Sequence, residues 1–448
     1  MSGSVSRREF LKYLGAGVAG LAVGAGIGYV AAPPRVKIKE VIKEVPATPK
    51  PVPEEPLKIG VVTILTGPGA MLMEPGLNAL KMEVEKINAA GGILGRKIEL
   101  SVKDSGGKPD KFVEHMRRLI EEEEVEYVIG GCTSAEAVAA APIAEELKTI
   151  FLIEEGTTSE LFEKIDPHPK YVFRINNYDP LDFTSNAVKT AELWPDVTRV
   201  ATIGADYTWG RDEIAGFLTV YRKLNPAAEV ITQTWPPLFS KDYTDHITTL
   251  IDAKPDLVVV ALWGGDLVTF LTQATGLGLF DIAHATCITG GEYIWKAMGV
   301  ADGVLADARY YYLYPPWDRW SLNKEFCEEF KKKFPESRGG IPGFNCNSSY
   351  VAIHALKIAI EKAYAITGGW PDTEDVISAL ENLMVPSPGG YRYFRKEDHQ
   401  MLGYAVVGLT STPPGAEFPI LDPIWPVVPE VMAPPPGVRW KDWVESWP

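Results

Sequence analysis

The chain has 448 residues, 44 basic and 59 acidic side chains, and a formal net charge of −15. That length is too great for one ordinary core, and the acidic balance repels nucleic acid and anionic lipid. The four cysteines, at 132, 287, 327 and 346, show no CxxC or Cys/His pairing, so neither a zinc site nor a redox dithiol is signalled.

Near the start, Ser6-Arg7-Arg8-Glu9-Phe10-Leu11-Lys12 has the form of a twin-arginine export signal. The expected location is therefore extracytoplasmic, in the periplasm or at the cell surface. Gly15, Gly17 and Gly20 satisfy the spacing of a dinucleotide loop, but no buried strand precedes them and more glycines follow at 24, 26 and 28. They belong to the uncharged run of the signal, not to a nucleotide site. The run from 13 to 34 is long enough to span a bilayer. It is either cut near Val30-Ala31-Ala32 or kept as a membrane anchor. From 33 to 56 the chain alternates Pro, Lys, Glu and Val without period, as an extended spacer does. Of the charged residues, 8 of the 44 basic and 5 of the 59 acidic ones lie before residue 57, which leaves −18 on the remainder.

Lys58-Ile-Gly-Val-Val-Thr-Ile-Leu65 is a short, β-branched apolar run and predicts a strand. After a Thr66-Gly-Pro-Gly69 turn, Leu77, Leu80, Val84 and Ile87 recur at helical spacing. The same unit repeats as strand 97–103 with helix 110–123, strand 127–130 with helix 135–147, and strand 151–153 with a short segment 159–164. A second set begins after 171–174: strand 199–204 with helix 211–224, strand 230–234 with helix 243–251, strand 257–262 with helix 267–275, and strand 285–289. Apolar strands alternating with amphipathic helices mean parallel sheets covered on both faces. Helices at 323–334, 348–367 and 373–383 then arrive without strands, as expected of a chain returning to cover the first half. The Pro- and Trp-rich stretch after Thr410 has no period and predicts a surface wrap.

In open parallel sheets, ligands sit beyond the carboxyl ends of the strands. The loops to inspect are Thr66-Gly-Pro-Gly-Ala-Met71, Gly131-Cys-Thr-Ser134, Glu154-Glu-Gly-Thr-Thr-Ser159, Ala205-Asp-Tyr-Thr-Trp-Gly210, Trp263-Gly-Gly-Asp266 and Gly290-Gly-Glu-Tyr293. At these residues the chain resembles the branched-chain amino acid (Leu/Ile/Val) type of periplasmic solute-binding protein of ABC transporters. Thr66-Gly67-Pro68, Ile87-Asn-Ala-Ala-Gly-Gly-Ile-Leu-Gly-Arg-Lys97, Val128-Ile-Gly-Gly-Cys-Thr-Ser134, Asp206-Tyr-Thr-Trp-Gly210 and Gly291-Glu292 carry the resemblance in order. It covers about residues 57–410.

The resemblance implies a type I periplasmic binding protein fold, α/β, with two Rossmann-like lobes joined by three hinge crossings. On this chain the expected division is an export or membrane segment 1–32, a linker 33–56, an N-terminal lobe of 57–176 plus 312–386, a C-terminal lobe of 177–311 plus 387–410, and a tail 411–448. It also implies an ABC transporter permease as partner and a small solute held without cofactor or metal. Hydroxyls and amides of the first lobe would hold the ligand carboxylate, which points to Thr133, Ser134 and Thr158. A loop entering a helix offers unpaired N–H groups and the positive end of the helix dipole, which suits that role. Thr133 and Glu136 also fit a Thr-x-x-Glu capping box, and one loop can do both. The family's ammonium contact falls on Glu292, where a carboxylate facing a cation makes a charge-assisted hydrogen bond. Trp209 occupies the place of the family's aromatic on the second-lobe turn, and Trp263 follows another second-lobe strand.

Two departures bear on the ligand. Leu72 replaces an aromatic and softens that wall. Glu154 and Glu155 stand where small residues and Pro are usual, either to receive a second positive group or to sit in solvent. An amide, urea, a polyamine or an aromatic acid on the same scaffold competes with an amino acid. A ligand-sensing module is a third reading. An exported hydrolase using Glu154, Glu155 or Glu292 is more remote, because no GxSxG or HExxH motif occurs and the histidines at 115, 168, 246, 284, 354 and 399 are scattered. Cys327 and Cys346 either pair in the oxidising compartment or stay free.

Overall fold

A computed structural model describes residues 50–293, 300–313, 319–416 and 418–448. The twin-arginine motif, the uncharged run and all but the end of the spacer lie outside the described residues. Residues Pro49–Glu445 make one unit. Among the described residues, no helix is long and apolar enough to cross a membrane.

The first sheet has strands β1 (Leu57–Thr63), β2 (Ile98–Asp104), β3 (Tyr127–Gly130), β4 (Ile150–Ile153) and β5 (Val172–Arg174), in the order β2-β1-β3-β4-β5, all parallel. Helices α1 (Ala70–Ala89), α2 (Pro109–Glu121) and α3 (Ser134–Leu147) connect the first four strands. Every residue of β3 and β4 is buried, which is why these strands read as continuous apolar runs.

The second sheet begins after α4 (Asp179–Leu193) with β6 (Arg199–Gly204), α5 (Thr208–Leu224), β7 (Glu229–Thr234), α6 (Thr244–Ala253), β8 (Leu257–Ala261), α7 (Gly264–Gly276), a short α8 (Leu279–Ile282), β9 (His284–Cys287) and β10 (Leu305–Ala308). The chain then returns to the first sheet through α9 (Ser321–Lys333), α10 (Phe344–Thr367) and α11 (Thr373–Leu380). Val351, Leu356 and Ile360 of α10, with Val376 and Leu380 of α11, share one core with β1–β5. A small antiparallel sheet follows, β11 (Met384–Ser387), β12 (Gly390–Phe394) and β13 (Met401–Gly403), whose Val385, Phe394 and Met401 enter that same core. The chain finally crosses to add β14 (Ala405–Ser411) and β15 (Ile420–Val427) to the second sheet, whose order is β15-β14-β10-β9-β8-β6-β7.

Three differences from the sequence expectation have physical causes. Helix α4 does not show in the sequence because it is buried nearly all round, from Asp179 to Ala191, and so lacks an apolar stripe. Strand β10 reads Leu-Ala-Asp-Ala, too short and too weakly apolar to stand out. The stretch after Thr410 is not a surface wrap: β15 pairs antiparallel with β14, and Trp440, in a short helix α12 (Trp440–Glu445), is buried with its ring 4.9 Å from Phe183. Pro423 and Pro426 hide the strand from propensity, yet β15 is an edge strand, where missing N–H donors are tolerated. None of the four cysteines is in a disulfide, and Cys327 lies 3.5 Å from the Tyr310 hydroxyl rather than bridged to Cys346.

Candidate functional site

At the carboxyl ends of the parallel strands in the two sheets the loops face one another across a cleft. Leu72, Cys132, Ser134, Glu155, Thr157 and Phe344 line it from the side of the first sheet, and Tyr207, Trp209, Trp263, Thr289 and Arg309 from the side of the second.

The first wall is built around the start of α3. Thr133 accepts from the Glu136 amide at 3.1 Å and the Glu136 carboxylate accepts from the Thr133 amide at 2.9 Å, a complete capping box. Glu136 also accepts from Ser105, and burial pushes its carboxyl up. The Thr133 hydroxyl is therefore committed to the helix, while Ser134 at the first helical position lines the cleft. The Ser134 hydroxyl accepts from the Thr158 amide at 3.3 Å, which leaves its own hydrogen free to turn into the cleft. The loop 154–159 lies against α3 so closely that a Cβ on Gly156 would come 2.3 Å from the Ala137 Cβ. Fully buried Arg174 holds the loop from behind, donating to the carbonyls of Thr157 at 3.3 Å and Thr158 at 2.8 Å; burial pushes its guanidinium down to about 10.

Glu154 and Glu155 are both buried, and they face different ways. Glu154 accepts from Ser349 on α10 at 2.6 Å, and burial pushes its carboxyl up to about 7 against that hydrogen bond. Glu155 lines the cleft and accepts from Asn176 at 2.9 Å and from Arg309 at 3.3 Å. Neither sits in solvent, because the loop tucks between α3 and α10.

The second wall is aromatic. Trp209, near the start of α5, is tilted against Tyr207 with ring centroids 6.3 Å apart. Trp263 caps α7 and meets the edge of Phe239 at 5.6 Å. Its indole N–H is buried without a hydrogen-bond partner among the described residues. At the floor, Arg309 leaves the end of β10 and donates through Nε to Asp182 at 3.0 Å, with a shorter contact through Nη2, and through Nη1 to Glu155. Burial alone would push Arg309 down, but Asp182, Glu155 and Glu213 outweigh it and hold the guanidinium above its ordinary range. Phe344 covers it at 5.5 Å.

Leu72, Ser134, Glu155, Trp209 and Trp263, all singled out from the sequence, thus meet in one cleft. Thr133 stands just behind the wall as a cap. Thr158 turns its hydroxyl to Asp212 on α5 at 2.9 Å, linking the two sides. Glu292 belongs to a single 3-10 turn, Gly290–Tyr293, and its side chain lies outside the described residues. Cys132, Thr157 and Tyr207 fall inside loops chosen from the sequence. Arg309, Thr289 and Phe344 do not; once β10 is recognised as a strand, the rule of inspecting strand ends finds Arg309. The Cys132 thiol is pushed well above its usual range by burial and by Glu136, Glu155 and Glu154.

Comparison with known proteins agrees with this architecture. The profile of the family described as periplasmic binding protein matches residues 56–408. A Leu/Ile/Val-binding protein homolog 4 of Brucella melitensis is 24% identical over 357 residues, covering 77% of this chain and 82% of that protein. A Leu/Ile/Val-binding protein homolog 7 of Brucella abortus is 28% identical over 316 residues, covering 67% and 76%. Among solved structures, a solute-binding protein of an ABC transporter from Rhodopseudomonas palustris, in complex with 3,4-dihydroxybenzoic acid, superposes with a TM-score of 0.73 at 25% identity, covering 84% of this chain and 98% of that one. An ABC-type branched-chain amino acid transporter protein from the same species superposes at 0.63 with 26% identity, covering 86% and 100%. Such proteins work outside the cytoplasm, bind small molecules, hand them to permeases and catalyse no reaction, which removes the hydrolase reading. With its matched span, its two facing sheets and its loop-built cleft, the chain belongs to the periplasmic binding proteins of ABC transporters.

Proposed function

We propose that this protein is exported by the twin-arginine route and captures an amino acid between two hinged lobes for delivery to an ABC permease. The carrying observation is the meeting of Ser134, Glu155, Trp209, Trp263 and Leu72 in one cleft. The ligand carboxylate sits at the start of α3, on the Ser134 hydroxyl and the first-turn amides, where the helix dipole favours negative charge. The apolar side chain lies among Trp209, Trp263 and Leu72. The ammonium group is received by an acid, either Glu155 or Glu292. A ligand touching both walls favours the closed form, and moving a 1:99 mixture to 99:1 takes about 5.5 kcal/mol of differential affinity.

A benzoate-type acid is the second reading. Four aromatic residues line the cleft, and the unpartnered Trp263 N–H is a donor for a ring hydroxyl or carboxylate oxygen. The similar Rhodopseudomonas palustris structure is described in complex with a dihydroxybenzoic acid. A thermal-shift screen of amino acids, amides, polyamines and benzoates separates the readings, because a true ligand at 100 times its Kd adds about 2.7 kcal/mol. Glu155→Gln and Glu292→Gln then locate the ammonium seat: the variant that removes it weakens an amino acid by about 1.5–3 kcal/mol and leaves a benzoate unaffected. Stabilisation by benzoates alone overturns the amino acid reading. X-ray scattering that shows no compaction with a tight ligand overturns closure.

A further inference from the structure

Behind the second wall, α4 and α5 face each other with three carboxylates between them. Asp179, Asp182 and Glu213 are each 0% exposed, and one oxygen from each lies within 4.8 Å of the others. Asp182 is engaged by Arg309. Among the described residues, neither oxygen of Asp179 or of Glu213 accepts a hydrogen bond of good geometry, and the only hydrogen-bonding influence on the Asp179 carboxyl comes from the Thr157 side chain.

Such groups are rare in folded proteins and ask for an explanation. Asp307 adds to the deficit: its Oδ1 accepts from Asn186 and the Thr289 amide, while its Oδ2 has no partner. Arg309 cannot balance this much negative charge, because it is shared between Asp182 and Glu155. Fully buried carboxylates without good partners carry a desolvation cost. A positive charge between the helices would remove that cost.

We propose that Asp179, Asp182 and Glu213 form a buried site for a hard divalent cation, with calcium the ion of fitting size. Calcium takes carboxylate oxygens at 2.3–2.6 Å, so ligands on opposite sides of it stand up to about 5 Å apart, a span that covers this triad. Asp179 and Glu213 supply four oxygens, and Asp182, both of whose oxygens also accept from Arg309, adds to them. Magnesium, which holds oxygens at 2.0–2.1 Å and keeps its waters, suits three fully buried carboxylates less well. The ion would tie α4 to α5 directly beneath Arg309, bracing the floor of the cleft.

The test uses the full chain, stripped with a chelator and titrated with calcium chloride in the absence of any organic solute, so its outcome is separate from that of the ligand screen. The expected result is saturable binding of one calcium per chain in equilibrium dialysis, with a rise in melting temperature. In Asp179→Asn/Glu213→Gln, binding falls at least tenfold and calcium no longer shifts the melting point. Glu213→Gln alone, which keeps the side chain's shape, decides the matter if the double variant does not fold. The assignment is overturned if the wild type binds no calcium, which means the cluster shares protons instead, or if binding survives the substitutions.

Discussion

The two walls of the cleft solve the problem of burying polar groups in different ways. The wall on the first sheet uses neutral hydroxyls and backbone, each satisfied locally: the capping box at Thr133, the Ser134–Thr158 bond, and Arg174 on two loop carbonyls. The wall on the second sheet uses aromatic rings over Arg309, held by Asp182 and Glu155 from different elements. The hydroxyl and amide contacts of the first wall are local, and its pH dependence lies in buried Glu154. The second is a network in which removing one partner leaves several ions uncompensated.

The sharpest way to break this contrast is Arg309→Met. It leaves Asp182 and Glu155 buried without their cation, and the expected loss of stability in denaturant unfolding is about 3–5 kcal/mol. A loss below about 1 kcal/mol would show that the network stabilises nothing. Next in size is Glu154→Gln, tested against pH. The folded carboxyl of Glu154 holds its proton up to about 7 against 4.5 in the unfolded chain, so its contribution to stability is full below pH 4.5 and is lost as pH rises through 7. The glutamine variant should therefore gain about 2–3 kcal/mol relative to wild type between pH 5 and pH 8. An unchanged difference between the two proteins across that range contradicts the assignment.

Gly156→Ala probes the tight packing of the first wall. The new methyl meets Ala137, and overpacking of this kind costs about 1–3 kcal/mol, read as a lower melting temperature together with weaker solute binding. The smallest effect on binding belongs to Ser134→Ala, which removes one neutral hydroxyl and should weaken a carboxylate ligand by about 0.5–1.5 kcal/mol, with a stability loss of about 1 kcal/mol because the Thr158 amide loses its acceptor. Isothermal titration with the solute found by screening measures it, and an effect above about 3 kcal/mol would place more of the binding on Ser134 than a hydroxyl supplies.

Much of the first sheet is legible because its central strands β1, β3 and β4 are apolar on both faces and α1 carries a regular apolar stripe. Leu77, Leu80, Val84 and Ile87 fall on the core side of α1 as their spacing predicts. The second half is harder. Its last strands depend on partners far away in sequence: β10 is a strand because β9 and β14 pair with it, and β15 because β14 offers an edge. Arg309 was invisible for the same reason, since a lone arginine after a weak apolar run gains meaning only when Asp182 and Glu155 arrive from elsewhere.

Periodicity and loop chemistry, which act over a few residues, thus determined on their own the alternation of strands and helices, the loops at the strand ends and the cap on α3. Tertiary structure alone decided which of the two acids at 154 and 155 faces the cleft, that the Pro-rich stretch closes a sheet, and that Asp179, Asp182 and Glu213 share one buried space. Those outcomes turn on distances between segments remote in the chain, and a carboxylate's environment is set by what lies across from it, not by its neighbours in sequence.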